Sequence, residues 1–503
     1  MRYFIHLIIF ISLITLQNCK KEDTNSTNYT VIMSQSRLDL SVGDSVRLTI
    51  TIVPDDGSDN SVAWESSNSS IASVNETGLV IALSEGSTTV SAITTQGRSA
   101  NCQVYVENDV PSVLSLLRAE GNRVVNEEGD TIMLRGTNAG SWLVQEDWMT
   151  GNTAGCQLEM LETLNERFGP SVTEDLIDIW EENWITEDDL DNIQELGFNC
   201  VRVPFTFMNL IYYDSYQWKY DAFDRLDWIV EECDEREIYV ILDMHGAPGS
   251  QNGSDHSGID GGDSKEEASE FFFGENAVSN QAKFYEIWEE IADRYADENA
   301  VAGYDLLNEP FCTYRYSSSI GETALHNLLF SIYDEAYSRI RAIDPNHMII
   351  MEATWDPWDL PNPSTYGWTN VMYEYHNYQF SDYDNVNGEQ ISSMTRKLNN
   401  IRNYDDNYNV PNLMGEFCFF NNPAAWEEGM ALINSYGVHW TSWSYKVQAS
   451  YGNWGIYHSS TSNINIYTAT ESEIRSAWSS MTTTENTTLA DILSTYATGL
   501  TTF

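Results

Sequence analysis

The chain has 503 residues, 42% of them hydrophobic and 20% charged, a composition typical of soluble globular proteins. At this length we expect more than one domain. With 76 acidic against 25 basic residues the formal net charge is -51, so the mean field repels phosphate backbones and anionic membrane surfaces. We therefore expect no nucleic-acid partner.

Residues 1–18 are predicted to be a lipoprotein signal peptide. Arg2 precedes the apolar run FIHLIIFISLITL, residues 4–16, which has the length of a signal-peptide core and is short for a bilayer span. The following LQNCKKEDT resembles a bacterial lipoprotein processing site with Cys19 as the lipidated residue. The resemblance implies an exported lipoprotein of the outer membrane or cell surface, held to a membrane only through Cys19. A plain secretory peptide is the alternative.

Two segments follow before the larger domain. Residues 19–29 are polar and unpatterned, which predicts a flexible tether. Residues 30–107 show period-two alternation with recurrent turns, which predicts a small all-β sandwich. Residues 62–92 are similar to group 2 bacterial immunoglobulin-like domains, which implies a spacer or adhesive module, and we interpret this one as a spacer. The residues that carry the similarity are Trp64, Ser66, Asn68, Ile71, Ala72, Val74, Gly78 and Gly86.

Residues 112–503 begin with a predicted hairpin, after which apolar strands alternate with amphipathic helices. This order predicts a closed (β/α)₈ barrel of the TIM type, an α/β fold. An open doubly wound sheet is the alternative, and it is disfavoured because no glycine-rich phosphate loop follows the first strand. The predicted strands are 131–137, 198–204, 238–244, 302–308, 347–353, 371–377, 412–418 and 438–444.

Apart from Cys19, the cysteines show neither CxxC pairs nor zinc-like spacing. We therefore predict no metal site and no disulfide framework, with most thiols buried. A single disulfide between Cys156 and Cys312 is an alternative, because both lie in stretches predicted to be loops on one face of the barrel.

Two predicted strands end in carboxylates. AGYDLLNEPF, residues 302–311, ends its apolar run at Asn308 and Glu309, and LMGEF ends at Glu416. A carboxylate at the end of an apolar strand is costly unless it is used. Active sites of such barrels lie at the carboxyl ends of the strands, and two glutamates on one rim suit retaining glycoside hydrolysis.

The other strand ends supply polar and aromatic partners for these glutamates. Arg202 and Tyr378 are predicted to donate hydrogen bonds to the nucleophile, and Asn308 is predicted to bond the sugar 2-hydroxyl. Trp443 is predicted to offer a flat face on which a pyranose packs. His245 and His376 are predicted to position their neighbours at the substrate site. The two carboxyls complete the chemistry, so no cofactor is expected.

These residues, in this order, resemble family 5 glycoside hydrolases, the cellulase family of the retaining clan. The residues that carry the resemblance are Arg202, His245, Asn308, Glu309, Pro310, His376, Tyr378, Glu416 and Trp443. The resemblance implies Glu309 as the acid/base and Glu416 as the nucleophile, acting on a polysaccharide.

The motif HGAPGSQNG, residues 245–253, resembles the exo-β-1,3-glucanase branch of the family and its β-1,6-glucanase relatives. A β-linked glucan is therefore the expected substrate. Ala139 and Ser141 depart from the leucine and glycine of that branch, which leaves linkage and exo or endo action open. The alternatives are an endo-β-1,4-glucanase and, in another class, a non-catalytic surface glycan-binding protein.

Overall fold

The computed structural model describes residues 30–53, 62–95, 98–107, 114–311, 320–380, 388–448, 454–460 and 463–498. The chain divides into two compact units, Met1–Pro111 and Ser112–Phe503, and each is described by itself. The predicted signal peptide, the lipidation site Cys19, the tether and Cys312 lie outside the described residues. Across the described ranges, no helix has the length and apolarity needed to cross a membrane.

The first unit is an all-β sandwich, as predicted. One sheet has the order β2-β9-β8-β5, the other has the order β3-β7-β6, and β1 pairs with β4. Inward residues alternate along the strands and form an apolar core that includes Leu48, Val80, Val90 and Val104. The strands are β1 Thr30–Met33, β2 Arg37–Ser41, β3 Ser45–Arg47, β4 Ile50–Val53, β5 Val62–Ser66, β6 Ala72–Val74, β7 Leu79–Ala82, β8 Gly86–Thr94 and β9 Ser99–Glu107.

The second unit opens with a hairpin, β10 Arg118–Glu120 and β11 Arg123–Val125, and continues into a closed barrel of eight parallel strands. The barrel confirms the predicted fold and excludes the open sheet. Its strands are β12 Arg135–Asn138, β13 Cys200–Thr206, β14 Tyr239–Gly246, β15 Val301–Asp305, β16 Met348–Glu352, β17 Val371–Asn377, β18 Asn412–Phe417 and β19 His439–Ser442. A small sheet of β20 Lys446–Gln448, β21 Tyr457–Ser459 and β22 Thr483–Glu485 follows.

The first barrel strand begins later than predicted. Thr131 bridges to Val125 and Ile132 donates its N–H to the Val124 carbonyl, so this stretch extends the hairpin rather than the barrel. The local pattern does not distinguish the two, because hairpin and barrel strands both alternate apolar and polar residues here.

Helices cover the outside of the barrel because their apolar faces bury against its strands, which are nearly continuous in buried residues. Local signals set their ends, such as the capping box at Thr186 before α4 and the Asn422 cap before Pro423 of α11. The helices are α1 Asp147–Thr150, α2 Gln157–Phe168, α3 Pro170–Trp184, α4 Glu187–Glu195, α5 Phe207–Leu210, α6 Asp224–Glu235, α7 Lys265–Ala268, α8 Ala277–Tyr295, α9 Glu322–Ile343, α10 Glu389–Tyr408, α11 Pro423–Tyr436, α12 Glu471–Trp478 and α13 Thr487–Thr498.

Candidate active site

Glu309 follows β15 and is held in an unusual backbone conformation. Its φ of 42° lies in the left-handed region that disfavours side chains with a Cβ. The Glu309 N–H donates to Glu352 Oε2 at 2.5 Å, and Asn252 Nδ2 donates to the Glu309 carbonyl at 3.1 Å. These contacts fix the backbone that aims the Glu309 carboxyl over the barrel.

His376, at the end of β17, joins the two glutamates. Its Nδ1 lies 2.9 Å from Glu309 Oε1 and 3.5 Å from Glu416 Oε2. The two carboxyl oxygens are therefore separated by at most the sum of those distances. That bound is compatible with the roughly 5–5.5 Å between the two carboxyls of retaining glycosidases.

The surroundings of His376 favour its positively charged form. Burial lowers the pKa of His376, but the carboxyls of Glu352, Glu416 and Glu309 outweigh it, so its pKa stands well above its ordinary value. As an imidazolium, His376 donates from Nδ1 to Glu309, while its Nε2 lies 3.4 Å from Glu374 Oε1.

Glu416, on β18, receives two donors from opposite sides. Arg202 Nη1 donates to Glu416 Oε1 at 3.0 Å, and the Tyr378 hydroxyl donates to Glu416 Oε2 at 2.8 Å. Both residues were predicted as donors to this carboxylate. The arrangement fixes the orientation of the carboxyl, as attack on one carbon atom requires.

Arg202 itself is fully buried in the barrel and contacts three further carboxyls. Its Nη2 lies 3.1 Å from Asp243 Oδ2 and 2.8 Å from Asp305 Oδ2, and its Nε lies 3.2 Å from Glu374 Oε1. We call Asp243, Asp305 and Glu374 the buried carboxyls. The sequence analysis missed all three, because it considered only residues at the strand ends.

A hydrogen-bond chain fixes the orientation of the Asn308 amide. Arg202 Nη2 donates to Asn308 Oδ1 at 3.0 Å, which leaves Nδ2 to face His245 Nε2 at 3.2 Å. His245 Nε2 must then accept, so its proton is on Nδ1, 2.7 Å from Asp243 Oδ2. Burial lowers the pKa of His245 to about 3, in keeping with a neutral ring. The second Nδ2 hydrogen of Asn308 remains for a substrate hydroxyl.

The loop of the HGAPGSQNG motif ties β14 to the segment that carries Glu309. Gln251 Nε2 donates to the carbonyls of His245 and Asn308, both at 2.8 Å. Further along this loop, His256 Nε2 lies 3.4 Å from Glu309 Oε2. His256 is a neighbour of Glu309 that the sequence analysis did not single out.

Aromatic side chains line one side of the site. Trp443 stacks on His245 with ring centres 5.4 Å apart, and the Trp443–Ser444 peptide is cis. Trp454 packs against Trp148 and Tyr378, and Phe380, on the same cluster, is 62% exposed. These flat apolar faces are suited to packing against sugar rings.

Glu146, which follows β12, adds a further carboxyl that was not predicted. Trp148 Nε1 donates to Glu146 Oε2 at 2.8 Å, whereas Oε1 is buried with no hydrogen-bond partner among the described residues. Burial, and then the charges of Asp255, Glu416 and Glu309, raise the pKa of Glu146 well above its ordinary value. A substrate hydroxyl would satisfy the free oxygen.

Two groups of described side chains bring possible metal ligands within 4.8 Å of one another. One is Glu309, Glu352 and His376, whose ligand atoms already bond one another in the site. The other is Glu322, His326 and Asp359, outside it, where His326 Nε2 lies 3.4 Å from Asp359 Oδ1.

The structure brings all eight predicted site residues into one connected network. They are Arg202, His245, Asn308, Glu309, His376, Tyr378, Glu416 and Trp443. Such a network can hold one carboxylate as a nucleophile and place a second carboxyl nearby for proton transfer.

The sequence matches two family descriptions. Residues 152–449 match Cellulase (glycosyl hydrolase family 5), and residues 29–104 match Bacterial Ig-like domain (group 2). The resemblances to family 5 glycoside hydrolases and to group 2 bacterial immunoglobulin-like domains are thereby confirmed.

Curated relatives include a β-xylosidase of Phanerodontia chrysosporium, 28% identical over 307 residues, which are 58% of this chain and 58% of the relative. A probable glucan 1,3-β-glucosidase A of Emericella nidulans is 30% identical over 259 residues, 49% of this chain and 57% of the relative. The chain thus spans less than three fifths of the length of these relatives.

Among solved structures, an endogalactoceramidase superimposes with a TM-score of 0.54 at 17% identity, covering 76% of this chain and 85% of that one. A rutinosidase from Aspergillus niger gives 0.52 at 17% identity, covering 70% and 98%. At these identities the likeness establishes the barrel fold alone.

Proposed function

The chain belongs to glycosyl hydrolase family 5, and from this premise we propose that it is a retaining glycoside hydrolase of β-linked glucan, with β-1,3-glucan preferred. The observation that carries the proposal is the pairing of Glu309 with Glu416 across His376. Two carboxyls at this separation allow one to attack the sugar carbon while the other protonates the departing oxygen.

In the first step a Glu416 oxygen attacks the anomeric carbon and forms an ester bond to it. The glycosidic C–O bond breaks, and its oxygen takes the proton of the Glu309 carboxyl. Arg202 and Tyr378 keep donating to Glu416 and orient it. Asn308, with its Nδ2 hydrogen free, donates to the sugar 2-hydroxyl, a bond that strengthens in the transition state.

In the second step water attacks the anomeric carbon from the side that the leaving group vacated. Glu309 takes a proton from this water, the ester to Glu416 breaks, and the sugar leaves with its original anomeric configuration. His376, bonded to Glu309 Oε1, holds the carboxyl in place through both transfers.

The preference for β-1,3-glucan draws support from relatives named as glucan 1,3-β-glucosidases. A second candidate is hydrolysis of β-xylosides, because a relative named as a β-xylosidase aligns over more of the chain than they do. Both candidates use the same two glutamates, so only the substrate pocket separates them.

The product profile on laminarin, a β-1,6-glucan, a mixed-linkage glucan, soluble cellulose and an aryl β-xyloside tests the assignment. Glucose alone from laminarin is the expected result, and fastest release from the xyloside would favour the second candidate. Fastest cleavage of cellulose would overturn both. Binding without release from any substrate would identify a non-catalytic glycan-binding protein instead.

Glu309→Gln tests the acid. We expect glucan hydrolysis to fall on the order of 10²–10⁴-fold, because proton donation to a poor leaving group is lost. On an aryl glucoside with an acidic phenol the first step should be far less affected, since that leaving group needs no proton. Equal losses on both substrates would contradict the role of Glu309.

We further propose that the protein is exported and anchored through a lipid on Cys19, with the immunoglobulin-like unit as a spacer. The signal-like run before Cys19 supports this. Cys19→Ala should move the protein from the detergent phase to the aqueous phase in a detergent partition assay. Unchanged partition would overturn the anchor.

A further inference from the structure

The buried carboxyls lie beneath the site, and none of them is needed to touch substrate. Asp243, Asp305 and Glu374 have no solvent exposure. Each carries one oxygen, Oδ1, Oδ1 and Oε2 respectively, with no hydrogen-bond partner among the described residues. A charged oxygen left this way inside a protein is strongly unfavourable, so a proton is expected in this group.

Two of the three carboxyls compete for the same donor. Arg202 Nε lies 2.9 Å from Asp305 Oδ2 and 3.2 Å from Glu374 Oε1. The same guanidinium also serves Asp243 at 3.1 Å and Glu416 at 3.0 Å. Even with His376 beside Glu374 and Glu416, one guanidinium does not balance four carboxyls, and two carboxylates on one N–H repel each other.

We infer that Asp305 and Glu374 share one proton, and that this acid pair positions Arg202 and preserves its charge for Glu416. The shared proton supplies a donor to a group of carboxyls in which three oxygens have none among the described residues. The catalytic part of this inference rests on the proposed function, whereas the shared proton does not.

The electrostatics of the pair agree with this arrangement. Burial, and then Glu374, raise the pKa of Asp305 well above its ordinary value. Burial also acts to raise the pKa of Glu374, but Arg202 and His376 outweigh it and leave that pKa lowered. A hydrogen bond between the two side chains contributes to both shifts. Asp305 is thus the formal acid and Glu374 the formal carboxylate.

The backbone makes room for this pair. A Cβ on Gly415, the residue before Glu416, would overlap Glu374 Oε1. The glycine therefore lets the Glu374 carboxyl lie against the strand that carries the nucleophile. Charged or titratable groups face the pair from the surrounding elements: Arg202 on β13, Asp243 on β14, Tyr333 on α9, Glu352 on β16, His376 on β17 and Glu416 on β18.

Amide substitutions test the shared proton directly. In Asp305→Asn the amide N–H replaces the proton and donates to Glu374, and in Glu374→Gln the amide donates to Asp305. Either single variant keeps one donor between two oxygens and keeps the pair's net charge. The double variant places two N–H groups face to face and removes the charge.

Infrared difference spectra in H₂O and D₂O detect the protonated carboxyl without any substrate. We expect each single variant to lose one carboxylic-acid band and the double variant to lose no further one. Glu181→Gln, outside the site, is the positive control at about pH 6, because burial raises the pKa of Glu181 to about 7. Loss of the band in only one single variant, or in neither, overturns the sharing.

The pH profile of kcat/KM tests the positioning role. Each single variant should leave the acid limb in place, because the charge near Arg202 and Glu416 is unchanged. The double variant should move that limb down by about one pH unit, because it removes one negative charge near Glu416. A shift already present in a single variant would mean that both carboxyls are ionised in the wild type, which overturns the proposal.

Thermal unfolding can be measured even on variants that have little glycosidase activity. Because the folded pKa of Asp305 is raised, the wild type loses stability as pH rises from the unfolded pKa toward that folded value. Asp305→Asn cannot lose a proton, so its Tm relative to the wild type should rise between pH 5 and pH 8. A difference that does not change with pH would overturn the proposal. Absence of all glycosidase activity, with these results intact, would instead contradict the proposed function.

Discussion

The two glutamates of the rim and the buried carboxyls contact the same arginine, but their surroundings differ. Glu309 and Glu416 keep 19% and 6% of their side chains exposed. Asp243, Asp305 and Glu374 have none exposed. We therefore expect Glu309 and Glu416 to contact substrate and the buried carboxyls to hold Arg202.

The comparison shows that one residue type serves two purposes according to depth. A carboxyl in contact with the cleft can exchange protons with substrate and water. A carboxyl buried beneath the site contributes by balancing charge. Where it has no cationic partner, it needs a proton. Substitutions of Glu309 or Glu416 should therefore remove activity, whereas substitutions of the buried carboxyls should change stability and the pH dependence of activity.

The largest loss of activity is expected from a substitution of Glu416. Glu416→Gln removes the proposed nucleophile, so turnover should fall on the order of 10⁴-fold or more. Stability should hardly change, because the amide oxygen still accepts from Arg202. Initial rates on laminarin together with Tm check both statements. Glu485→Gln, at an exposed position on β22, is the matched control. Turnover within tenfold of the wild type would contradict a catalytic role of Glu416 that the buried carboxyls do not share.

Arg202→Lys should disturb both Glu416 and the buried carboxyls, because Arg202 contacts all of them. A lysine cannot reproduce a planar fork that serves several carboxyls, and it leaves buried charges without partners. We expect a loss of about 3–5 kcal/mol in the free energy of unfolding, measured with denaturant. The control is Arg236→Lys, where an arginine just after α6 pairs with Asp191 and Glu232 near the surface and the loss should stay below about 1 kcal/mol. Equal losses would contradict the central place of Arg202.

Gly415→Ala should act through Glu374, one of the buried carboxyls. Its Cβ would overlap Glu374 Oε1, so we expect a loss of about 1–3 kcal/mol from overpacking. The acid limb of the pH profile should move as well, because the displaced Glu374 no longer shares a proton with Asp305. Gly388→Ala, where nothing lies within 4 Å of an added Cβ, is the comparison variant. A silent Gly415→Ala would mean that Glu374 has another position available.

The smallest effect concerns a departure noted in the sequence. Ser141 adopts a φ of 57°, and its buried Oγ has no hydrogen-bond partner in the described part of the chain. Ser141→Gly removes both costs and should raise the free energy of unfolding by about 1 kcal/mol. Ser264→Gly, at an ordinary φ of -110°, should give no gain. A loss at position 141 would show that this hydroxyl has a partner in solution.

The strands and the rim were predictable because both leave strong local signals. Most barrel strands are apolar runs, although β12 and β19 are not, and a glutamate at the end of an apolar run has no ordinary packing role. The buried carboxyls were missed because a single charge within an apolar run looks like an exposed residue.

The period of a strand could have found two of them. Side chains at i and i+2 point to the same face, so an inward His245 implies an inward Asp243, and His376 implies Glu374. Asp305 has no such neighbour. Its place became visible only when the closed barrel brought β13, β15 and β17 around Arg202.

Trapping the intermediate tests the central claim most directly. A 2-fluoro-β-glucoside with a good leaving group slows release of the glycosyl-enzyme, so intact-mass and peptide analysis can locate the ester. We predict one added glycosyl group, on Glu416, and none in Glu416→Gln. A label on another residue, or turnover of glucan with no covalent intermediate and an inverted product, would contradict the account.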